Sequence, residues 1–239
     1  MREKIVNIRI GLAALLFACT TSLYAAEQPN IVIILLDDAG YSDLGVFGSE
    51  IETPNIDKIA RQGLQLTQFH VTPNCSSTRA SLFTGMDHHR TGIGSHGGTT
   101  DNQKGKPGYE GYLNDRVITL ASVLRNSGYR TMMSGKWHLG NKTVDTWPVD
   151  RGFDHSFALL NGGSSHWDMS PLLPSQPSTF VENDKLVEQL PDDFYSSDFF
   201  TDKLIEYVEA VEKQEALRWT DEVDVDYVNL LSWFWSFKS

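Results

Sequence analysis

The chain has 239 residues, enough for one domain with a sizeable core, and 40% of them are hydrophobic. Its formal net charge of −11 argues against nucleic acid as a partner, because phosphate backbones reward basic patches. The same acidity suits a site that needs carboxylates for a divalent metal, and it equally suits plain solubility.

In chain order the first feature is an export pattern. Arg2, Lys4 and Arg9 precede the apolar run IGLAALLFA (10–18), which is too short to span a bilayer, and SLYAAEQ offers small-residue cleavage after Ala25 or Ala26. This predicts a signal peptide over residues 1–26 and a periplasmic or secreted mature chain. The competing reading is LFAC (16–19) as a lipobox, which would lipidate Cys19 and make membrane anchoring conditional on that modification. Under either reading Cys75 is the one cysteine left of two, in an oxidising compartment without an intramolecular partner.

NIVIILLDD (30–38) is a β-branched apolar run ending in two carboxylates, and it predicts a fully buried strand of a parallel sheet. TPNIDKIARQG (53–63) predicts a helix capped by Thr53, with Pro54 in the first turn and Gly63 as its stop. LQLTQFHV (64–71) alternates and predicts the next strand, with His70 as a structural histidine. CSSTRASLFTG (75–85) predicts a short helix closing at Gly85, and residues 86–114 a long functional loop. TLASVLRNSGY (119–129) predicts a helix capped by Thr119 and stopped by Gly128, followed by a strand running into a turn over 130–140. Residues 141–198 read as loop-rich, with 162–178 as an excursion over the site, and 198–213 as an amphipathic helix facing inward through Phe200, Leu204, Ile205, Val208 and Val211. Alternating strands and helices give an α/β class with a mainly parallel sheet, in which ligands bind at the carboxyl ends of strands.

Three groups of residues carry chemistry. Cys75 opens a helix, where unpaired N–H groups and the dipole stabilise an anion, and Arg79 lies one turn above it. Asp37 and Asp38, adjacent at a strand end, repel each other unless a cation sits beside them; two turn-capping aspartates are the alternative. Lys136 and His138, two apart on an extended segment, face one side and offer a point charge and a proton donor; a solvated strand end is the alternative. His88, His89 and Arg90 fit a supporting or loop-packing role, and His166 is a lesser candidate for reaching substrate.

The segment CSSTRASLFTG resembles the sulfatase signature, in which arginine follows the cysteine at the fourth position before a Leu/Phe-Thr-Gly close. PNIVIILLDDAGYSDLGVFG, TPNIDKIARQG, GKPGYEGYLNDRV, MSGKWHLG and RGFDHSFALL are similar to segments of bacterial arylsulfatases in the same order, over residues 29 to about 213. The resemblance implies an alkaline-phosphatase-like fold and hydrolysis of sulfate esters. It implies that a formylglycine-generating enzyme converts Cys75 to formylglycine, whose hydrate attacks sulfur. It implies Asp37, Asp38 and the residue at Cys75 as ligands of Ca²⁺, with Mg²⁺ as the other hard dication, and Arg79, Lys136 and His138 as catalytic groups.

Two departures stand beside it. Ser77 occupies the position two after the cysteine where the family carries proline. Family members also continue past the helix ending near Lys213 into a His-Pro segment, an Asp-Asn pair and a further lysine, whereas residues 214–239 do not resemble the family. The expected organisation is therefore a signal peptide (1–26), the N-terminal part of a catalytic domain (27–213) and a non-homologous tail (214–239), with an incomplete sheet. The alternative function is a catalytically inactive, truncated remnant. Two further readings are a phosphatase of the same superfamily and an interaction protein acting through the Trp-rich tail.

Overall fold

The computed structural model describes residues 29–95, 100–218 and 227–234. The expected signal peptide, Cys19 and the parts of the tail at 219–226 and 235–239 lie outside the described residues. The strands are β1 (Ile31–Asp37), β2 (Arg130–Lys136), β3 (His155–Leu159), β4 (Phe180–Glu182), β5 (Lys185–Val187) and β6 (Tyr227–Phe234). The helices are α1 (Pro54–Gln62), α2 (Cys75–Thr84), α3 (His88–Thr91), α4 (Leu120–Asn126) and α5 (Ser196–Arg218). They build one six-stranded sheet in the order β1-β6-β2-β3-β4-β5. The first four strands in that order run parallel, and β4 and β5 add an antiparallel hairpin at the far side. No helix among the described residues is long and apolar enough to cross a membrane.

Successive residues of β2 point to opposite faces, and this divides the core. Met133 packs with Phe83, Trp137, Phe153 and Ala158 on the face carrying α2 and α4. Met132 packs with Phe157, Phe180, Phe200 and Leu204 on the face covered by α5. The result is a helix–sheet–helix sandwich whose two layers are filled by one short apolar strand at the centre.

Helix ends follow their cap residues. Asn74 caps α2 by accepting from the Ser77 amide (3.2 Å), and Gly85 ends it at φ 65°. Thr119 caps α4 by accepting from the Ser122 amide (3.1 Å), and Gly128 follows that helix at φ 95°. Both positive angles are cheap only for glycine. Thr53 precedes α1 as expected, but its hydroxyl donates to Asp57 (2.8 Å) and accepts from the Gly45 amide (2.9 Å) rather than capping the helix amides.

Several expectations are corrected. Residues 64–71 form no strand: the segment finds no ladder partner, so Leu64 stays 85% exposed, and His70 is exposed rather than a structural histidine. β1 is not fully buried, because it is the edge strand, and Val32 and Ile34 on one of its faces remain open. Residues 141–198 hold three strands; β4 and β5 are joined at Asn183 and Asp184, with Asn183 at φ 55° as tight hairpins require. Strand β6, from the tail, lies between β1 and β2, with Ile31 opposite Val228 and Arg130 opposite Tyr227.

Candidate active site

The strand ends bring the chemistry together. β1 ends at Asp37 and β2 at Lys136, two positions separated in the sheet by β6. Lys136 Nζ donates to Asp37 Oδ2 at 2.6 Å, with the two side chains only 2% and 11% exposed. In so dry a setting the pair attracts far more strongly than at the surface. Beyond each strand the chain turns through a left-handed residue that is not glycine: Asp38 at φ 58° after β1 and His138 at φ 55° after β2. Such angles cost energy outside glycine and concentrate at functional sites.

The turn at His138 changes the sequence expectation. Lys136 and His138 are not on one straight extended strand; the kink sends them to different partners. Lys136 reaches Asp37, while His138 Nδ1 comes 3.4 Å from Cys75 Sγ. Trp137, between them, is fully buried, and its indole donates to the Thr146 carbonyl (2.8 Å). Cys75 itself is half-buried, at the first position of α2.

Arg79 lies one turn into α2 and is buried. Its Nε donates to the Trp137 carbonyl (2.7 Å), and a terminal nitrogen donates to the Lys136 carbonyl. The guanidinium thus ties the start of α2 to the end of β2, fixing Cys75 relative to Lys136 and His138. Burial lowers its pKa to about 10, opposed by the attraction of Asp37 and then Cys75. It remains a cation at neutral pH, close enough to both groups to feel their charge.

Ser77, where proline was expected from the resemblance, has a local role. Its amide serves the Asn74 cap, and its buried hydroxyl donates to the Ile93 carbonyl (3.3 Å). Proline would lack that N–H.

An adjoining cleft of about 250 Å³ is lined by Ser76, Tyr109, Glu110, His138, Asn161 and Gln176, among others. It opens beside the His138 ring, and Gly162 closes over that ring: a Cβ there would fall 2.8 Å from His138 Cε1. Residues 86–114 and 162–178 read only as loops, although His88–Thr91 form α3, and no local signal marked Tyr109, Gly162 and Gln176, or Asn161 just before the second stretch, as lining residues.

Other candidates lie apart from this arrangement. His88 Nδ1 meets the Ile93 carbonyl (2.8 Å), and His89 and Arg90 line a separate cleft. His166 Nδ1 meets Ser196 Oγ (2.6 Å) at the start of α5 and does not line the cleft beside His138. Its pKa is lowered by burial.

Oxygen donors at Asp37 and Asp38 suit a hard dication, and Asp38 is exposed and turned at the strand end. A Cys75 thiol does not suit such an ion, since sulfur is a soft donor. Asp37 and Asp38 thus suit the implied metal by donor type, and residue 75 only in an oxygen-bearing form, but among the described residues Asp37, Asp38 and Cys75 do not bring their ligand atoms within 4.8 Å of one another, and Asp37 is held by Lys136.

Comparison with known proteins follows the same outline. The sulfatase family model matches residues 29–217. An uncharacterized sulfatase of Schizosaccharomyces pombe is 44% identical over 202 residues, covering 80% of this chain and 36% of that protein. An arylsulfatase of Klebsiella aerogenes is 39% identical over 214 residues, covering 88% of this chain and 46% of that protein. The crystal structure of Ps i-CgsB superposes with a TM-score of 0.70 at 25% identity, over 87% of this chain and 45% of that one. The chain therefore spans less than half the length of these relatives.

Proposed function

Because the chain belongs to the sulfatase family, we propose that it carries the nucleophile half of a sulfuric ester hydrolase site, of the arylsulfatase type, with residue 75 at its centre. The observation that supports this most is the contact of Cys75 with His138 at 3.4 Å, on a helix that Arg79 anchors to the strand end presenting Lys136. Conversion of Cys75 to formylglycine by a formylglycine-generating enzyme would place a hydrated aldehyde there, supplying an oxygen nucleophile and its own route of release. Asp37 and Asp38 would hold Ca²⁺, or Mg²⁺, which supplies Lewis acidity and offsets sulfate charge.

The remaining roles fall to the chain's own side chains. Lys136, now on Asp37, offers a positive charge to sulfate oxygens from a dry site where it counts most. His138, within reach of residue 75, gives or takes the proton that moves as the ester oxygen leaves. Arg79 holds these groups in register and keeps a fixed positive charge under the helix start, which favours anionic species at residue 75. The cleft beside His138 receives the alcohol portion of the ester. The export pattern would put this chemistry in the periplasm or outside the cell, with lipidation of Cys19 as the alternative that would attach it to a membrane.

The test is hydrolysis of a chromogenic aryl sulfate by the full chain produced with a formylglycine-generating enzyme and supplied with Ca²⁺. Activity that disappears in Cys75→Ala and falls in His138→Ala supports the proposal. Equal rates in Cys75→Ala contradict it, and absence of activity in converted protein favours the inactive remnant.

A further inference from the structure

We propose that Asp87, His88 and His89 form a second metal site, away from residue 75, that takes a divalent ion of the zinc or copper class. One potential ligand atom from each of the three lies within 4.8 Å of the others. The hydrogen bonds around them decide which ring nitrogens can bind. His88 Nδ1 meets the Ile93 carbonyl at 2.8 Å, and His89 Nδ1 meets Asp87 Oδ1 at 3.2 Å. The Ile93 carbonyl only accepts, so His88 Nδ1 carries the proton in the neutral imidazole and the lone pair falls on Nε2, the form in which a histidine ligates a metal. His89 faces Asp87 through Nδ1, so an ion shared by these two would replace the proton between Nδ1 and Oδ1.

The two rings sit 4.1 Å apart between centroids with a tilt of 36°. The same Asp87 oxygen accepts the His89 amide (3.0 Å), and this bond holds the carboxyl below its usual range and ionised. Ligands at 2.0–2.2 Å from a tetrahedral ion stand roughly 3.5 Å apart. Because the three atoms lie within 4.8 Å of one another, a contraction of at most about 1.3 Å brings them to that spacing. Asp87 and His89, whose side chains are 63% and 51% exposed, can supply that by rotation. Two imidazoles and one carboxylate are borderline donors, which select zinc or copper over calcium. Three protein ligands leave a coordination position open. His89 also borders a cleft of about 370 Å³ with Arg90 and Arg116, of which Arg116 is paired with Glu110 at 2.8 Å. A small anion entering that cleft would meet the open position beside the Arg90 charge.

The test uses the untagged full chain stripped by chelation, titrated calorimetrically with Zn²⁺ and examined by electron paramagnetic resonance with Cu²⁺. The expected result is one Zn²⁺ site that persists in the Asp38→Asn/Cys75→Ser double variant. His88→Ala and His89→Ala should each weaken it about tenfold or more. Nitrogen hyperfine structure from two imidazoles should drop to one in each histidine variant. His88→Ala also removes the Ile93 contact, so His89→Ala, on the exposed ring, carries the result if circular dichroism shows the first variant unfolded. Absence of Zn²⁺ binding, unchanged affinity in His89→Ala, or loss of binding in the double variant would overturn the proposal.

Discussion

Replacing Asp37 by asparagine removes one carboxylate and strands two buried cations. Lys136 sits 2.6 Å from that carboxylate in a pair whose side chains are 2% and 11% exposed. Arg79, itself 2% exposed, is attracted to the same group. Removing one partner of a buried pair costs about 3–5 kcal/mol, because the remaining charge loses its paired carboxylate in a dry setting. For a domain of this size that corresponds to about 6–20 °C in melting temperature. The assay is urea unfolding of the full chain in a chelating buffer, so that metal binding adds nothing. Lys136→Met should cost less than Asp37→Asn, since Asp37 then keeps Arg79 nearby. The Asp37→Asn/Lys136→Met double variant should recover part of the loss. A loss below about 1 kcal/mol for Asp37→Asn, the range of a surface pair, would refute the reasoning.

Gly162→Ala places a methyl 2.8 Å from His138 Cε1 and 2.9 Å from Nε2; steady-state kinetics on an aryl sulfate should show kcat/KM down about 10- to 100-fold, with the urea midpoint little changed. Asn74→Ala deletes the cap of α2 that accepts from Ser77 at 3.2 Å, and chemical unfolding should register about 1 kcal/mol. Leu231→Pro removes a backbone donor in the strand between β1 and β2, opposite Ile34 and Ser134, and should cost about 3 kcal/mol or more, seen as lost cooperativity in thermal unfolding.

The parts of this fold carried by local chemistry were legible. Asn74, Thr119, Gly85 and Gly128 mark helix ends through groups a few residues away, and so α2, which holds both Cys75 and Arg79, and α4 stand where the pattern puts them. The amphipathic stripe of α5 was also readable, with Phe200, Leu204 and Val211 inward, although Ile205 is 51% exposed and Tyr207 is buried in its place. That exchange depends on where neighbouring β4 lies, with Tyr207 donating to Glu182 at 3.1 Å. The alternation at 64–71 promised a strand, but a strand exists only with a partner, which no local pattern supplies. The same limit hid β3 to β5, each short, and the insertion of β6 beside β1, a pairing between the two ends of the chain. At the site, residue types and spacing nominated Asp37, Cys75, Arg79, Lys136 and His138, and the structure sets these at neighbouring strand and helix ends. The kink at His138 that divides Lys136 from His138, and the carbonyls that hold Arg79, arise from tertiary packing.

The central claim is that residue 75 is placed to be an oxygen nucleophile rather than a thiol. The most direct measurement is the mass of the peptide containing residue 75, from the full chain produced alongside a formylglycine-generating enzyme and digested under denaturing conditions. The account predicts an aldehyde, or its hydrate, in place of the thiol, despite Ser77 in the motif. A peptide that retains unmodified cysteine throughout would contradict it.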